Sequence, residues 1–316
     1  MSYKINDFFK NSSFISGEEI AKKLNISRVA VHKYIQKLRS QGYVIEGVCG
    51  KGYRLIPRPD GLLPLELKIR LNTKIFGKEI ITLETIDSTQ NFIKKLAEEG
   101  APEGTLVIAL EQKSGKGRMN RQWHSPKGGL WFSILLRPPF LPKEMYKLTL
   151  LFGVAVAKSL KIYGLEPYLK WPNDVLINNK KICGILLEGS TEADRIEYIA
   201  VGIGINANFL VDSLPEDVRK NATSIFEILN KKIDRAELLC EILKNSESLY
   251  LYAIENGFSH IISLWKSLSL FDKMVEIRLF NESIRGIAID IDEDGALILN
   301  ENGKIRKIYS GDVIFI

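Results

Sequence analysis

The sequence predicts an α+β protein in three parts: a basic helical module with a short hairpin, a central mixed sheet with helices, and a small all-β piece. Three observations carry this. Up to Ile56, two amphipathic helix patterns are followed by two strand patterns. Between residues 65 and 268, strand-like and helix-like stretches alternate, with several links too short for parallel crossovers. After residue 270 come five short strand patterns, Met274–Phe280, Ile284–Asp292, Ala296–Leu299, Lys304–Tyr309 and Val313–Ile316, punctuated by Asp294-Gly295 and Asn302-Gly303.

Composition bounds the answer first. The 316 residues are 45% hydrophobic and 26% charged, which is ordinary globular usage and enough chain for two or three domains. The longest apolar run, Leu148 to Ala157, is too short for a bilayer span, which needs roughly 20 residues. Lys4, Asp7 and Lys10 break any signal-peptide pattern. Cys49, Cys183 and Cys240 are widely spaced and form neither a disulfide framework nor a CxxC pair. His32, His124 and His260 are equally scattered, so no metal site is readable and a reducing cytoplasm is the expected setting.

The net charge of +6 is concentrated. Residues 1–60 hold 11 basic and 5 acidic side chains, whereas the remainder holds 33 of each. A basic module on a neutral body suits a polyanion, nucleic acid first, and equally suits a solvated basic surface.

Within that module, Ser16-x-x-Glu19 is a capping box before Ile20 and Leu24, and predicts a helix ending at Asn25. Ser27 caps a second helix to about Gln41, with Val31, Tyr34, Ile35 and Leu38 as its buried stripe. Two helices and a short turn form a helix-turn-helix outline, which places Arg28, Val29, His32 and Lys33 where base edges would be read. Strands Tyr43–Val48 and Tyr53–Ile56 follow, joined by Cys49-Gly50-Lys51-Gly52, with Lys51 and Arg54 as phosphate contacts. Together these resemble a winged-helix DNA-binding domain; a small helical domain for protein contacts is the alternative. Pro57-Arg58-Pro59-Asp60-Gly61 reads as a linker.

In the centre, strands are expected at Thr105–Leu110, Leu130–Leu136, Asp174–Ile177, Ile182–Leu187 and Ile196–Ile205. Helices are expected at Thr89–Glu99, Met145–Tyr163 and Ala236–Asn256. Asn178-Asn179-Lys180-Lys181 and Thr191 to Asp194 are tight turns, so the sheet should be largely antiparallel.

Three segments here carry chemistry. Ser114–Trp123, SGKGRMNRQW, sets Lys116, Arg118 and Arg121 among glycines that can expose an anion-binding nest of N–H groups. It reads as a loop and lacks Walker A spacing. Lys170–Asp174, KWPND, gathers an ammonium, an indole, an amide and a carboxylate, with Pro172 stiffening the turn. Its lysine suits a transferring phosphoryl group and its carboxylate suits Mg²⁺. Gly202–Ala207, GIGINA, matches a dinucleotide fingerprint, but the residues after it start a helix poorly and the links before it are hairpins. A dinucleotide fold is therefore not expected.

These segments, in this order behind a winged helix, resemble the bifunctional bacterial biotin protein ligases that also repress the biotin biosynthesis operon. The matching pieces are Asp87-Ser88-Thr89, Gln112 with SGKGRMNRQW, KWPND, Lys181 to Glu188 (KICGILLE), and GIGIN ending at Asn206. The resemblance spans essentially the whole chain. It implies domains at 1–60 (winged helix), 61–269 (catalytic, with a class II synthetase/biotin ligase-like mixed sheet) and 270–316 (an SH3-like β-barrel).

It also implies a biotin–[acetyl-CoA-carboxylase] ligase activity with Mg-ATP and biotin as substrates. Biotinyl-adenylate forms first, and its biotinyl group then acylates a lysine of the biotin carboxyl carrier protein. Ser88, Thr89 and Gln112 would take the ureido group. Lys116 and Arg118 would close over biotin and adenylate, and Lys170 would stabilise the first transition state beside Arg118. Gly184 and Leu186 would line the biotin pocket. Arg121, Trp123, Asn173, Asp174 and Asn206 would lie on the adenylate side, with Asn173 and Asp174 serving either Mg²⁺ or the incoming lysine. No tightly bound metal is expected, with Asp174 the place for any Mg²⁺. Operator DNA, an adenylate-bound homodimer and the absence of a membrane complete what the resemblance implies.

The chain departs from the family loop G-R-G-R-x-G-R. Lys116 replaces the first arginine and keeps only its charge. Met119 and Asn120 also differ, Asn120 standing where glycine is usual, although asparagine tolerates a left-handed backbone. Two other activities share parts of this pattern: lipoate attachment, and a non-catalytic repressor that senses a small molecule.

Overall fold

A computed structural model describes residues 8–9, 13–279 and 282–316. Lys4, Asp7, Lys10 and Phe280, where one strand was expected to end, lie outside them. The chain forms two compact units. One takes the chain to Asn72 together with Asp234–Cys240, and the other comprises Thr73–Ile233 and Glu241–Ile316.

In the first unit, α1 (Gly17–Leu24) starts at Ser16, whose side chain accepts from Glu19 N–H, and ends at left-handed Asn25. Helix α2 (Arg28–Ser40) starts at Ser27 in the same way. Strands β1 (Val44–Val48) and β2 (Gly52–Ile56) pair antiparallel. Ile15 adds a bridge to Tyr53, and a Cβ on Gly52 would stand 2.0 Å from the Ile15 carbonyl oxygen, so that position accepts only glycine. The core joins Ile20, Val31, Ile35, Leu38, Ile45 and Leu55.

The segment expected to be a linker is tied down instead. It leads into α3 (Pro64–Arg70), whose Leu65 belongs to the same core. Glu66 is fully buried and accepts from Arg58 Nε at 2.8 Å. Asp60 receives Arg235 Nε at 2.7 Å. These carboxylate partners, distant in sequence or placed on a short helix, made the stretch look looser than it is.

The second unit holds an eight-stranded sheet. Its strands are β3 (Ile80–Ile86), β4 (Leu106–Lys116), β5 (Gln122–Ser125), β6 (Leu130–Leu136), β7 (Tyr168–Lys170), β8 (Asp174–Ile177), β9 (Lys180–Glu192) and β10 (Arg195–Ile205). The order is β3-β4-β6-β10-β9-β8-β7, with β5 folded back on β4. Only β3–β4 is a parallel pair among the described ladders, and α4 (Thr89–Glu98) lies between them in sequence. Asn178 and Asn179 both have positive φ, 50° and 62°, which suits the two-residue hairpin between β8 and β9.

Helix α5 (Lys147–Leu160) buries almost every residue, which explains the long apolar run. Short helices α6 (Glu216–Arg219) and α7 (Ile225–Leu229) follow β10, then α8 (Arg235–Asn256) and α9 (Ser259–Ser267). Glu247 on α8 accepts from the N–H groups of Lys74, Ile75 and Phe76 at 2.6, 2.6 and 2.8 Å. Among the described residues, no helix is long and apolar enough to cross a membrane.

Five antiparallel strands close the unit: β11 (Lys273–Arg278), β12 (Ser283–Ile291), β13 (Leu297–Glu301), β14 (Lys304–Ile308) and β15 (Asp312–Phe315). Their order is β14-β13-β12-β11-β15.

A second expectation is corrected. SGKGRMNRQW is not an open loop but a β-hairpin: β4 runs to Lys116, a 3-10 turn covers Arg118–Asn120, and β5 returns. Gly115 pairs with Trp123 and Lys116 with Gln122. Glycines and charges hid the strand pattern. Met119 and Asn120 take the left-handed backbone at the tip, φ 53° and 56°.

Candidate active site

The second unit contains a cavity of about 960 Å³. It brings together every residue expected to bind biotin or adenylate. Ser88, Thr89 and Gln112 line it, as do Lys116, Arg118, Arg121 and Trp123. So do Lys170, Asn173 and Asp174, and Gly184, Leu186 and Asn206.

The β-strands explain how. Gly184 and Leu186 alternate onto one face of β9, and Gly204 of β10 stands opposite Gly184. Trp123 lies on this glycine pair. It packs edge-on against Trp131 at 6.3 Å, with Lys181 Nζ 5.1 Å from its ring centre. Its buried indole N–H has no hydrogen-bond partner among the described residues.

Ser88 caps α4 by accepting from Gln90 N–H, which leaves its own hydrogen available. Thr89 N–H donates to Gln112 Oε1 at 2.8 Å, and Gln112 Nε2 donates to Ser125 Oγ at 2.8 Å. This cluster can donate to and accept from a polar ring system.

A second cluster is ionic. Asp174 Oδ2 is 3.1 Å from Lys170 Nζ, and Asp174 Oδ1 is 2.5 Å from Lys181 Nζ. Burial alone pushes the Asp174 carboxyl up, but the Lys181 and Lys170 ammonium groups outweigh it and hold it below the usual aspartate range. Mg²⁺ was expected here if anywhere; the carboxylate instead faces two cations. Among the described residues, no group of three His, Cys, Asp or Glu side chains could hold a metal ion.

Asn173 braces the neighbourhood. Its Nδ2 donates to the Ile185 carbonyl at 2.7 Å, and its Oδ1 accepts from Arg118 Nη1 at 3.3 Å. Asn206 is largely spent on structure, donating to the Thr223 carbonyl at 2.9 Å.

Two contributors had no role in the sequence reading. Lys181 appeared only inside a quoted turn and strand. Asp174 and Lys181 flank a tight turn, and that spacing was the available signal. Asp312 of β15 gave no signal at all. Its carboxylate pairs with Arg121 and lies 3.7 Å from Arg118, which also donates to the Gly311 carbonyl at 3.2 Å. Burial lowers the Arg118 guanidinium from its ordinary value, opposed by Asp312 and Asp174.

In the first unit, Arg28, Val29, His32, Lys33 and Lys51 are exposed, Val29 to 66%. His32 lies 3.4 Å from the Tyr53 hydroxyl. Arg54, expected as a phosphate contact, pairs with Glu46 at 2.6 Å and lies 4.6 Å over the Phe14 ring. Cross-strand pairing of Glu46 with Arg54 put the partners side by side.

A helix-turn-helix unit, a mixed sheet with a cavity of hydrogen-bonding and cationic groups, and a small β-sheet define a DNA-binding ligase. Models of the Biotin/lipoate A/B protein ligase family, an HTH domain and the Biotin protein ligase C terminal domain match residues 82–206, 3–54 and 270–316. The bifunctional ligase/repressor BirA of Bacillus subtilis is 42% identical over 96% of this chain and 94% of its own length. That of Escherichia coli is 30% identical over 98% and 95%. A biotin protein ligase from Aquifex aeolicus, solved with biotin and ATP, has a TM-score of 0.66 and 34% identity over 76% of this chain and 99% of that one. The chain belongs to the bifunctional biotin protein ligase/repressor family, and it is a biotin ligase and repressor with biotin and ATP as substrates.

Proposed function

We propose that the chain joins biotin to ATP, passes the biotinyl group to a lysine of the biotin carboxyl carrier protein, and binds operator DNA as an adenylate-bound homodimer. One observation carries the catalytic half: a single cavity is lined by the Thr89–Gln112 hydrogen-bonding cluster, Arg118 and the Lys170–Asp174–Lys181 ion cluster.

In the first step a biotin carboxylate oxygen attacks the α-phosphorus of Mg-ATP and pyrophosphate leaves. Ser88, Thr89 and Gln112 hold the ureido ring. Arg118, Lys170 and Lys181 counter the charge on the carboxylate and α-phosphate. Lys116 and Arg121 belong to the hairpin that covers the intermediate. Gly184 and Leu186 line the biotin side. Trp123 and Asn206 serve the adenylate side, while Asn173 and Asp174 act as positioning residues for Arg118 and the two lysines. In the second step the acceptor lysine, as its free amine, attacks the biotinyl carbonyl carbon and AMP leaves with the bonding pair.

Exposed Arg28, Val29, His32, Lys33 and Lys51 support the DNA reading. The division 1–60, 61–269 and 270–316 and a cytoplasmic setting belong to the same proposal, the latter supported by three cysteines too widely spaced in the sequence to form a disulfide framework.

The test is acceptor labelling with Mg-ATP, biotin or lipoate, and an apo carrier domain. A biotin-sized mass shift on one lysine is expected. No shift with either acid, from folded protein, overturns the ligase. Operator gel shifts should tighten when biotin and ATP are added; unchanged binding overturns the regulatory half.

A further inference from the structure

Resting on the ureido site proposed above, we infer that Ser133 and Gln90 fix the hydrogen-bond polarity of the pocket and so select a cyclic urea. Both line the cavity, and both are buried, Ser133 to 0% and Gln90 to 3% exposure, so bulk water cannot reset their hydrogen bonds.

Two backbone groups anchor the arrangement. Gln90 Nε2 donates to the Ala200 carbonyl at 2.9 Å, which turns Gln90 Oε1 into the accepting end. Ser133 Oγ–H donates to that oxygen at 3.1 Å. On the other side, Thr89 N–H donates to Gln112 Oε1 at 2.8 Å and fixes the second amide. The Thr89 hydroxyl lies between them, 2.9 Å from Ser133 Oγ and 3.0 Å from Gln112 Oε1.

A hydroxyl has one hydrogen. That of Ser133 is committed to Gln90, so that of Thr89 must donate inward, to Ser133 or Gln112. Thr89 therefore meets a ligand as an acceptor only. Gln112 spends one Nε2 hydrogen on Ser125 and keeps the other for a ligand oxygen. An acceptor beside a donor is the complement of an N–H beside a C=O, which is the edge of a cyclic urea. A dithiolane ring offers neither group. A cyclic carbamate, with ring oxygen in place of one N–H, sets lone pairs against the lone pairs of Thr89.

The test is calorimetric binding of biotin, and of its analogue with one ureido N–H replaced by oxygen, to the ligand-free protein. The wild-type chain should prefer biotin by roughly a hundredfold or more. In Ser133→Ala the Thr89 hydrogen loses one of its two inward acceptors, and in Gln90→Met the released Ser133 hydrogen turns to the Thr89 oxygen, so in both variants only Gln112 Oε1 still holds the Thr89 hydrogen against the ring oxygen. The preference should then fall at least about tenfold, and Ser133→Thr, which keeps a hydroxyl, should retain it. A preference unchanged in both variants, or both ligands weakened equally, overturns the polarity assignment while leaving the ligase intact. Failure of the wild-type chain to bind biotin overturns the proposed site and this inference with it.

Discussion

Gly184 and Gly204 face each other across β9 and β10, and the Trp123 indole rests on the pair. A Cβ on Gly204 would stand 2.4 Å from Trp123 Nε1, and one on Gly184 2.9 Å from the ring. Gly204→Ala is therefore expected to lift the indole and reshape the adenylate side. Biotin binding should persist while the KM for ATP in pyrophosphate release rises roughly tenfold or more. An unchanged KM for ATP would show that the ring does not shape that side.

Lys170 and Lys181 share one carboxylate. Lys170→Ala leaves Asp174 with Lys181, so the variant should fold but form adenylate roughly a hundredfold more slowly. Normal adenylate formation with retained melting temperature would remove Lys170 from the chemistry.

The same cluster sets a pH dependence. Because the folded Asp174 carboxyl titrates below its unfolded value of about 3.9, its stabilisation is complete above that value. It is lost as pH falls through the lower folded value. Melting temperatures of wild type and Asp174→Asn should differ by a constant amount from pH 5 to 8 and converge only in stronger acid. Convergence near neutrality would contradict the ion cluster.

Asp312 ties β15 to the hairpin. In Asp312→Ala, Arg118 and Arg121 lose that anchor. Limited trypsin digestion should cut at these arginines faster in the variant, and adenylate formation should slow by roughly tenfold. Equal digestion rates would mean the hairpin is held elsewhere.

Glu247 accepts three successive backbone N–H groups from residues 74–76 and is 6% exposed. Glu247→Ala strands those donors and should cost about 3 kcal/mol in urea unfolding. A loss below about 1 kcal/mol would mean that water replaces the carboxylate.

In the helix-turn-helix unit, an exposed lysine and a paired arginine should behave differently. Lys51→Ala should weaken operator binding and lower the salt slope by about 1. Arg54→Ala, which breaks the Glu46 pair, should change stability more than the slope.

Elements with a strong local signature were legible in the sequence. Ser16 and Ser27 mark their helices because a cap acts within three residues. The β8–β9 hairpin was readable from two asparagines. The cavity-lining residues were readable as segments because each segment carries compact chemistry in a few positions. What escaped depends on distance along the chain. Strand β7 has only three residues and owes its place to pairing with β8. Arg54 looked free because its partner lies on another strand. Asp312 is an ordinary carboxylate until the fold sets it against Arg121.

That last placement has a consequence for biosynthesis. Ser88 and Phe315 line the same cavity, so its wall is drawn from nearly the whole second unit. A ribosome delivers Ser88 long before β15. During that interval neither biotin nor ATP can act as a folding template, since ligands stabilise only the state that binds them. The emerging sheet must survive on its own packing, and with so many non-local pairings it is the stage of synthesis at which chaperone protection matters most.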